Sequence, residues 1–161
     1  MNTQIRPAAT VILMREGTET FEIFMVKRSI KSSFGSLYVF PGGTLDVEDS
    51  LPEMYQHCDS LSDDQASSKL ALQQNGLAYW VACIRECFEE AGILLTNKSD
   101  TLLQDSKKLD AYRQQLNSKE ITFYEICKEN NLQLRANNIV PFAHWVTPDI
   151  EPKRFDTRFF L

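Results

Sequence analysis

The densest group of side chains able to do chemistry in this chain is Arg85-Glu86-Cys87-Phe88-Glu89-Glu90. On a helix turning about 100° per residue, Glu86, Glu89 and Glu90 share one side. Like charges at i, i+3 and i+4 each cost a few tenths of a kcal/mol, roughly, unless a counter-ion joins them. Something cationic is therefore expected beside these three acids. Arg85 lies one turn before Glu89 and could orient that carboxylate, but one guanidinium does not neutralise three acids. Oxygen ligands without His or Cys suit Mg²⁺ or Mn²⁺. An ion bound there could carry a small anionic substrate.

The element that must position these acids is a helix read from Leu77 to Leu95, with a stop near Gly92. Leu77, Trp80, Val81, Ile84, Phe88 and Ala91 fall on the side opposite the glutamates and should pack. An acidic cluster on a helix is more often an ordinary solvated face. Here the acids occupy the last turns, where the helix dipole favours cations, so their placement is locally unfavourable, as functional sites often are. Upstream, a short apolar run, Leu37 to Phe40, ends abruptly at Pro41-Gly42-Gly43. Glycines there let the backbone approach an ion or ligand closely.

Ala8 to Met14 and Phe21 to Lys27 read as two strands joined around Arg15-Glu16-Gly17-Thr18, a hairpin or a neighbouring pair. Residues 50–76 are polar and look like an insertion with its own helix, started by the capping-box pattern Ser62-Asp63-Asp64-Gln65. Two further polar helices are expected between Asp105 and about Asn130, broken near Asn117-Ser118. Strands Ile139 to Val146 and Phe155 to Leu161 complete the order.

Composition narrows the classes. A chain of 161 residues with 43% hydrophobic content forms one domain with a real core. A net charge of −5 argues against nucleic acid held by general electrostatics. No run reaches the roughly 18 apolar residues of a membrane span, and the N-terminus lacks a signal pattern. A cytoplasmic protein without membrane attachment is expected. Cys58, Cys83, Cys87 and Cys127 form no CxxC pair and are expected to be packed, reduced thiols.

Together these residues resemble the Nudix box, Gx5Ex7REUxEExGU with U aliphatic. Residues 85–93 fit its second half, except that Cys87 stands at the aliphatic position; Gly43 fits its opening glycine. Asp49 replaces the first glutamate, and 35 residues, 50–84, separate it from Arg85 instead of seven. Further segments, Lys27-Arg28-Ser29, Phe40 to Asp46 and Arg154 to Phe160, are similar to the branch containing coenzyme A and acyl-CoA diphosphatases of the peroxisomal type. That resemblance implies an α/β fold, an α/β/α sandwich around a mixed sheet with a helical insertion, as one Nudix hydrolase domain over 1–161. The family fold normally continues with a further strand and helix, so the C-terminus is expected to be truncated.

The resemblance also implies the site. Glu86, Glu89 and Glu90 would hold Mg²⁺ or Mn²⁺ with the carbonyl of Gly43, and Arg85, Glu86 and Glu89 would serve catalysis. The substrate would be a small nucleotide-like diphosphate, coenzyme A or acyl-CoA foremost. A nucleotide sugar, dinucleotide or nucleoside triphosphate is the alternative, as is a non-catalytic nucleotide-binding module; a homodimer is left open. Lys27 and Arg28 end a strand and could touch a substrate phosphate, against the plainer reading of solvated strand-end charges. His57 is expected at the surface, and His144-Trp145 as a structural pair. Arg154, Asp156 and Arg158 alternate on one strand face, which fits a structural network as well as substrate contact.

Overall fold

The computed structural model describes residues 4–27, 37–97 and 100–161. Its strands in chain order are β1 (Ile5–Val11), β2 (Met14–Glu16), β3 (Phe21–Ile23), β4 (Val26–Lys27), β5 (Tyr38–Val39), β6 (Gly42–Thr44), β7 (Pro141–Val146) and β8 (Arg154–Phe160). Four of them form a mixed sheet in the order β6-β1-β8-β7. β1 runs parallel to β8, with Ala9 opposite Arg158, and antiparallel to β6, with Ala9 opposite Gly43. The expected α/β class with a mixed sheet is what forms.

The first hairpin differs from its expected extent. β1 ends at Val11, and the hairpin proper is β2 with β3, in register from Met14 opposite Ile23 to Glu16 opposite Phe21. Burial explains the division. Ala8, Ala9 and Val11 are buried, and both edges of β1 are taken by β6 and β8. With no backbone edge left for β3, the chain starts a separate, exposed ladder after Leu13.

The helices are α1 (Pro52–Tyr55), α2 (Asp63–Leu70), α3 (Leu77–Ala91), α4 (Ser106–Ser118) and α5 (Phe123–Asn130). Ser62 and Gln65 form the expected capping box, with the Gln65 N–H donating to Ser62 Oγ and the Ser62 N–H donating to Gln65 Oε1. The insertion also starts α3. Gly76 stands at the N-cap of α3 without a side chain to offer. Instead the Asp63 carboxylate accepts from the Asn75 N–H at 2.8 Å and the Leu77 N–H at 2.9 Å. An acid there satisfies donors the helix cannot and complements its positive end.

α3 packs across β1 and β6. Its first half is buried on nearly every side, Ala78, Tyr79, Ala82 and Cys83 included, rather than on the one side that its apolar spacing suggested. The insertion covers the flank that would otherwise face water, with α1 and α2 both against it. Trp80 stacks tilted on Phe160 at 4.8 Å and donates its Nε1–H to Ile139 O at 2.9 Å. Each such large side chain contributes about 2 kcal/mol by leaving water. The result is a firmly held helix whose last turns project the acids.

Candidate functional site

α3 ends where Gly92 adopts a left-handed conformation, φ +70°, that a side chain would strain. Its last two turns carry Glu86, Glu89 and Glu90 and meet the start of β6. The Gly42 N–H donates to Glu90 Oε2 at 3.1 Å. A Cβ on Gly43 would lie 2.3 Å from Glu86 Oε1. Only glycine lets the strand come this close to the carboxylate.

Arg85 holds the arrangement together from beneath. It is 4% exposed, and Asp49 is 1% exposed. The guanidinium donates from Nε to Asp49 Oδ1 and from Nη2 to Asp49 Oδ2, both at 2.9 Å, a two-pronged pair. Nη2 also donates to Thr44 O at 2.9 Å. Nη1 reaches Glu86 Oε1 at 2.9 Å and Glu89 Oε1 at 3.0 Å. Every donor direction of the buried cation is thus spent on positioning, and two of the three glutamates are fixed by it.

The electrostatics follow from burial. Burial opposes the Arg85 charge, yet its bond to Asp49 and the charges of Asp49, Glu86 and Glu89 outweigh it, so the guanidinium is held well above its ordinary value. Burial raises the Asp49 carboxyl above its usual range, with Arg85 pulling it back; the pair is best described as an ion pair whose cation never releases its proton. Glu86 is pushed up to about 7, first by burial, with Arg85 lowering it and Glu89 and Glu90 raising it. Added positive charge beside Glu86 would relieve that penalty.

Asp49, read at the first-glutamate position of the box, is a residue whose role sequence reasoning did not supply. It sits in a short 3₁₀ turn, Val47–Ser50, where its Oδ2 also accepts the Asp46 N–H at 2.8 Å. The available signal was its position six residues after Gly43, which survives although the acid is shorter. Arg113 on α4 was missed too. It donates from Nε to Glu89 O at 2.9 Å and from Nη2 to Glu90 O at 2.7 Å, while Asn117 Nδ2 reaches Glu89 O at 3.3 Å. A cation thus offsets the negative helix end that the acids aggravate. Nothing in the spacing of α4 announces that contact.

Among the described residues no group of three or more His, Cys, Asp or Glu side chains stands ready as a metal cage. Glu86 and Glu89 turn onto Arg85, and Glu90 onto Gly42. The donor set nevertheless fits a hard divalent cation: it is oxygen throughout, and Gly43 leaves open the space beside Glu86 that a side chain would fill.

Other expected residues lie elsewhere. Lys27 is exposed in β4 opposite Tyr38, and Arg28 falls outside the described residues. His57 is half-buried rather than at the surface, with Nδ1 3.0 Å from Leu132 O. A buried backbone carbonyl from the α5 end takes that ring, which its polar neighbourhood in sequence did not foretell. His144 pairs with Asp156 at 2.6 Å, while Trp145 is 61% exposed. Arg158 lies 3.5 Å from Asp156. All four cysteines are free, and burial pushes Cys58 and Cys87 up to about 12, which disfavours a thiolate nucleophile.

An acidic helix end held by a buried arginine against a strand that opens on two glycines is the arrangement expected of a Nudix hydrolase. Residues 52–161 match the family described as the NUDT19 Nudix domain, and the chain belongs to that family. The matched stretch includes Arg85 to Glu90 and begins after Gly43 and Asp49. Acyl-coenzyme A diphosphatase NUDT19 of Xenopus laevis is 26% identical, over 98% of this chain and 51% of that protein. Putative nudix hydrolase 7 of Caenorhabditis elegans is 25% identical, over 97% of this chain and 43% of its own length. The chain thus spans about half the length of the curated relatives it matches. A crystal structure of a NUDIX hydrolase from Alicyclobacillus acidocaldarius superposes with a TM-score of 0.68 at 27% identity, over all of this chain and 70% of that one. Among the described residues no helix is long and apolar enough to cross a membrane.

Proposed function

We propose that this chain hydrolyses the diphosphate bond of a nucleoside diphosphate joined to another organic group, coenzyme A or an acyl-CoA being the best candidates. The observation that carries the reading is the approach of Gly43 to Glu86, 2.3 Å from a notional Cβ to the carboxylate oxygen. It brings the start of β6 against Glu86 at the end of α3, next to the contact of the Gly42 N–H with Glu90. The coenzyme A assignment is supported by the similarity to the acyl-coenzyme A diphosphatase of Xenopus laevis.

In this reading Glu86, Glu89, Glu90 and the Gly43 carbonyl hold Mg²⁺ or Mn²⁺. When bound, the ion neutralises charge on the diphosphate and lowers the pKa of a water. Arg85 acts as a positioning residue: buried beneath the acids, it fixes Glu86 and Glu89 from Nη1 and itself depends on Asp49. Glu90, exposed at the end of α3 beside Gly42, is the acid of the three most open to solvent and substrate.

The test compares coenzyme A, acyl-CoA, ADP-ribose, NADH and nucleoside triphosphates with Mg²⁺, Mn²⁺ and chelator, using the full chain and its Glu90→Gln variant. Cleavage of coenzyme A compounds to 3′,5′-ADP and a phosphopantetheine product, lost with chelator and with Glu90→Gln, is the expected result. Intact substrates under every metal would remove the hydrolase reading, and full turnover by Glu90→Gln would remove Glu90 from the site.

A further inference from the structure

A cavity of about 420 Å³ opens beside the acidic turn, and the carboxylates alone do not explain it. Arg85 and Glu89 form its wall on the α3 side, the turn from Asp46 to Asp49 a second, and the junction of α4 with α5 a third. Leu116 and Phe123 are buried along this third wall, and Met54, 1% exposed, lies at the base. The volume falls within the range of pockets that enclose small organic molecules. A diphosphate held at the glutamates would leave most of it unfilled.

Charge indicates which part of a substrate suits the space. Arg85 lines the cavity, but its donors are already taken by Asp49, Thr44 O, Glu86 and Glu89. Lys119 is the other cation on the lining, against Asp46, Glu48, Asp49 and Glu89. A further phosphate would enter a space with more acids than bases, and burying it there would be costly. An uncharged group meets no such opposition. Leu116, Ile121 and Phe123 offer it apolar contact, and Asn117 and Thr122 offer polar partners.

We propose that this cavity receives the uncharged, elongated group joined to the diphosphate on the side away from the nucleoside, a chain of alkyl and amide units. The nucleoside, with any extra phosphate it carries, lies outside the cavity. This assignment rests on the diphosphohydrolase reading for the position of the diphosphate. Substrate choice is then made by the α4–α5 junction and the turn before Asp49, rather than by the acids.

Two variants narrow the space without touching the carboxylates. Val47 lines the cavity yet is 85% exposed, so Val47→Trp is expected to fold normally. Ile121→Trp intrudes from the opposite wall. Turnover is measured on coenzyme A and on the methyl ester of ADP, which keeps the anhydride and drops the long chain. Both variants should raise KM for coenzyme A by about ten-fold, the lower end of what a lost apolar contact carries. Activity on the methyl ester should stay within about two-fold of the parent. Equal effects on both substrates, or no effect of Val47→Trp on either, would overturn the cavity assignment.

Binding separates this assignment from the hydrolase reading. Pantetheine alone, added to the full chain, should shift the backbone amide resonances of residues 116–124, and Val47→Trp should weaken that response. Should the parent cleave no diphosphate, the hydrolase reading fails while pantetheine still decides the cavity. Absent shifts, or shifts unchanged by Val47→Trp, would overturn it.

Discussion

Removing the Asp49 carboxylate should destabilise the protein more than any change to an exposed acid of the same turn. Asp49→Ala deletes both acceptors of the two-pronged pair and leaves Arg85, 4% exposed, beneath the acids. Breaking a buried pair from one side costs about 3–5 kcal/mol. Arg85 keeps Glu86, Glu89 and Thr44 O, so the lower end, about 3 kcal/mol, is expected here. For a domain of this size that is a fall in Tm of roughly 6–12 °C. Asp46→Ala is the control: its carboxylate is 66% exposed and 3.7 Å from the same guanidinium, and its loss should cost under about 0.5 kcal/mol. Urea denaturation at pH 7, with thermal melts, measures both, and an unchanged denaturant slope identifies the shift as one of stability. A loss below about 1 kcal/mol for Asp49→Ala, or one equal to that of Asp46→Ala, would refute the claim that this buried pair anchors the site.

Two further substitutions test the approach of β6 and the support from α4. Gly43→Ala places a methyl group against Glu86 Oε1 and should lower metal-dependent kcat by about 100-fold through displacement of that carboxylate; a kcat equal to the parent's would show that Glu86 need not hold its position. Arg113→Met removes the bonds to Glu89 O and Glu90 O and should cost about 1–2 kcal/mol in urea unfolding. Arg113→Lys should recover part of that through its charge, and identical losses in the two variants would argue against an electrostatic role at this helix end.

Much of the fold was legible because local chemistry and tertiary structure agree. The Ser62 to Gln65 capping box starts a helix where expected, and the polar stretch after Asp105 divides into α4 and α5 at the anticipated place. The strands that failed did so through partnership: nothing in Ala8 to Met14 reveals that β8, far along the chain, takes one edge of β1. The acids of α3 were visible from spacing alone. Their supports were not, since Arg113 reaches carbonyls and Asp49 reaches a side chain, contacts that depend on how distant elements dock. The all-round burial of α3 was hidden for the same reason, because the insertion that covers it looks polar in sequence.

The pinning of α3 by Asp63 bears on how far the two halves of the site can be spaced in sequence. Residues 50–84 must close between Asp49 and Arg85, a span of 35 residues where the family pattern has seven. Closing a flexible chain of that greater length costs about 1.4 kcal/mol more in entropy, since the cost grows only with the logarithm of length. The two bonds that Asp63 makes to Asn75 and Leu77 act inside that span and are worth a comparable amount, about 1 kcal/mol. Length in this segment is thus nearly neutral once it carries its own tether. The segment can be long because it fastens the helix to which it returns.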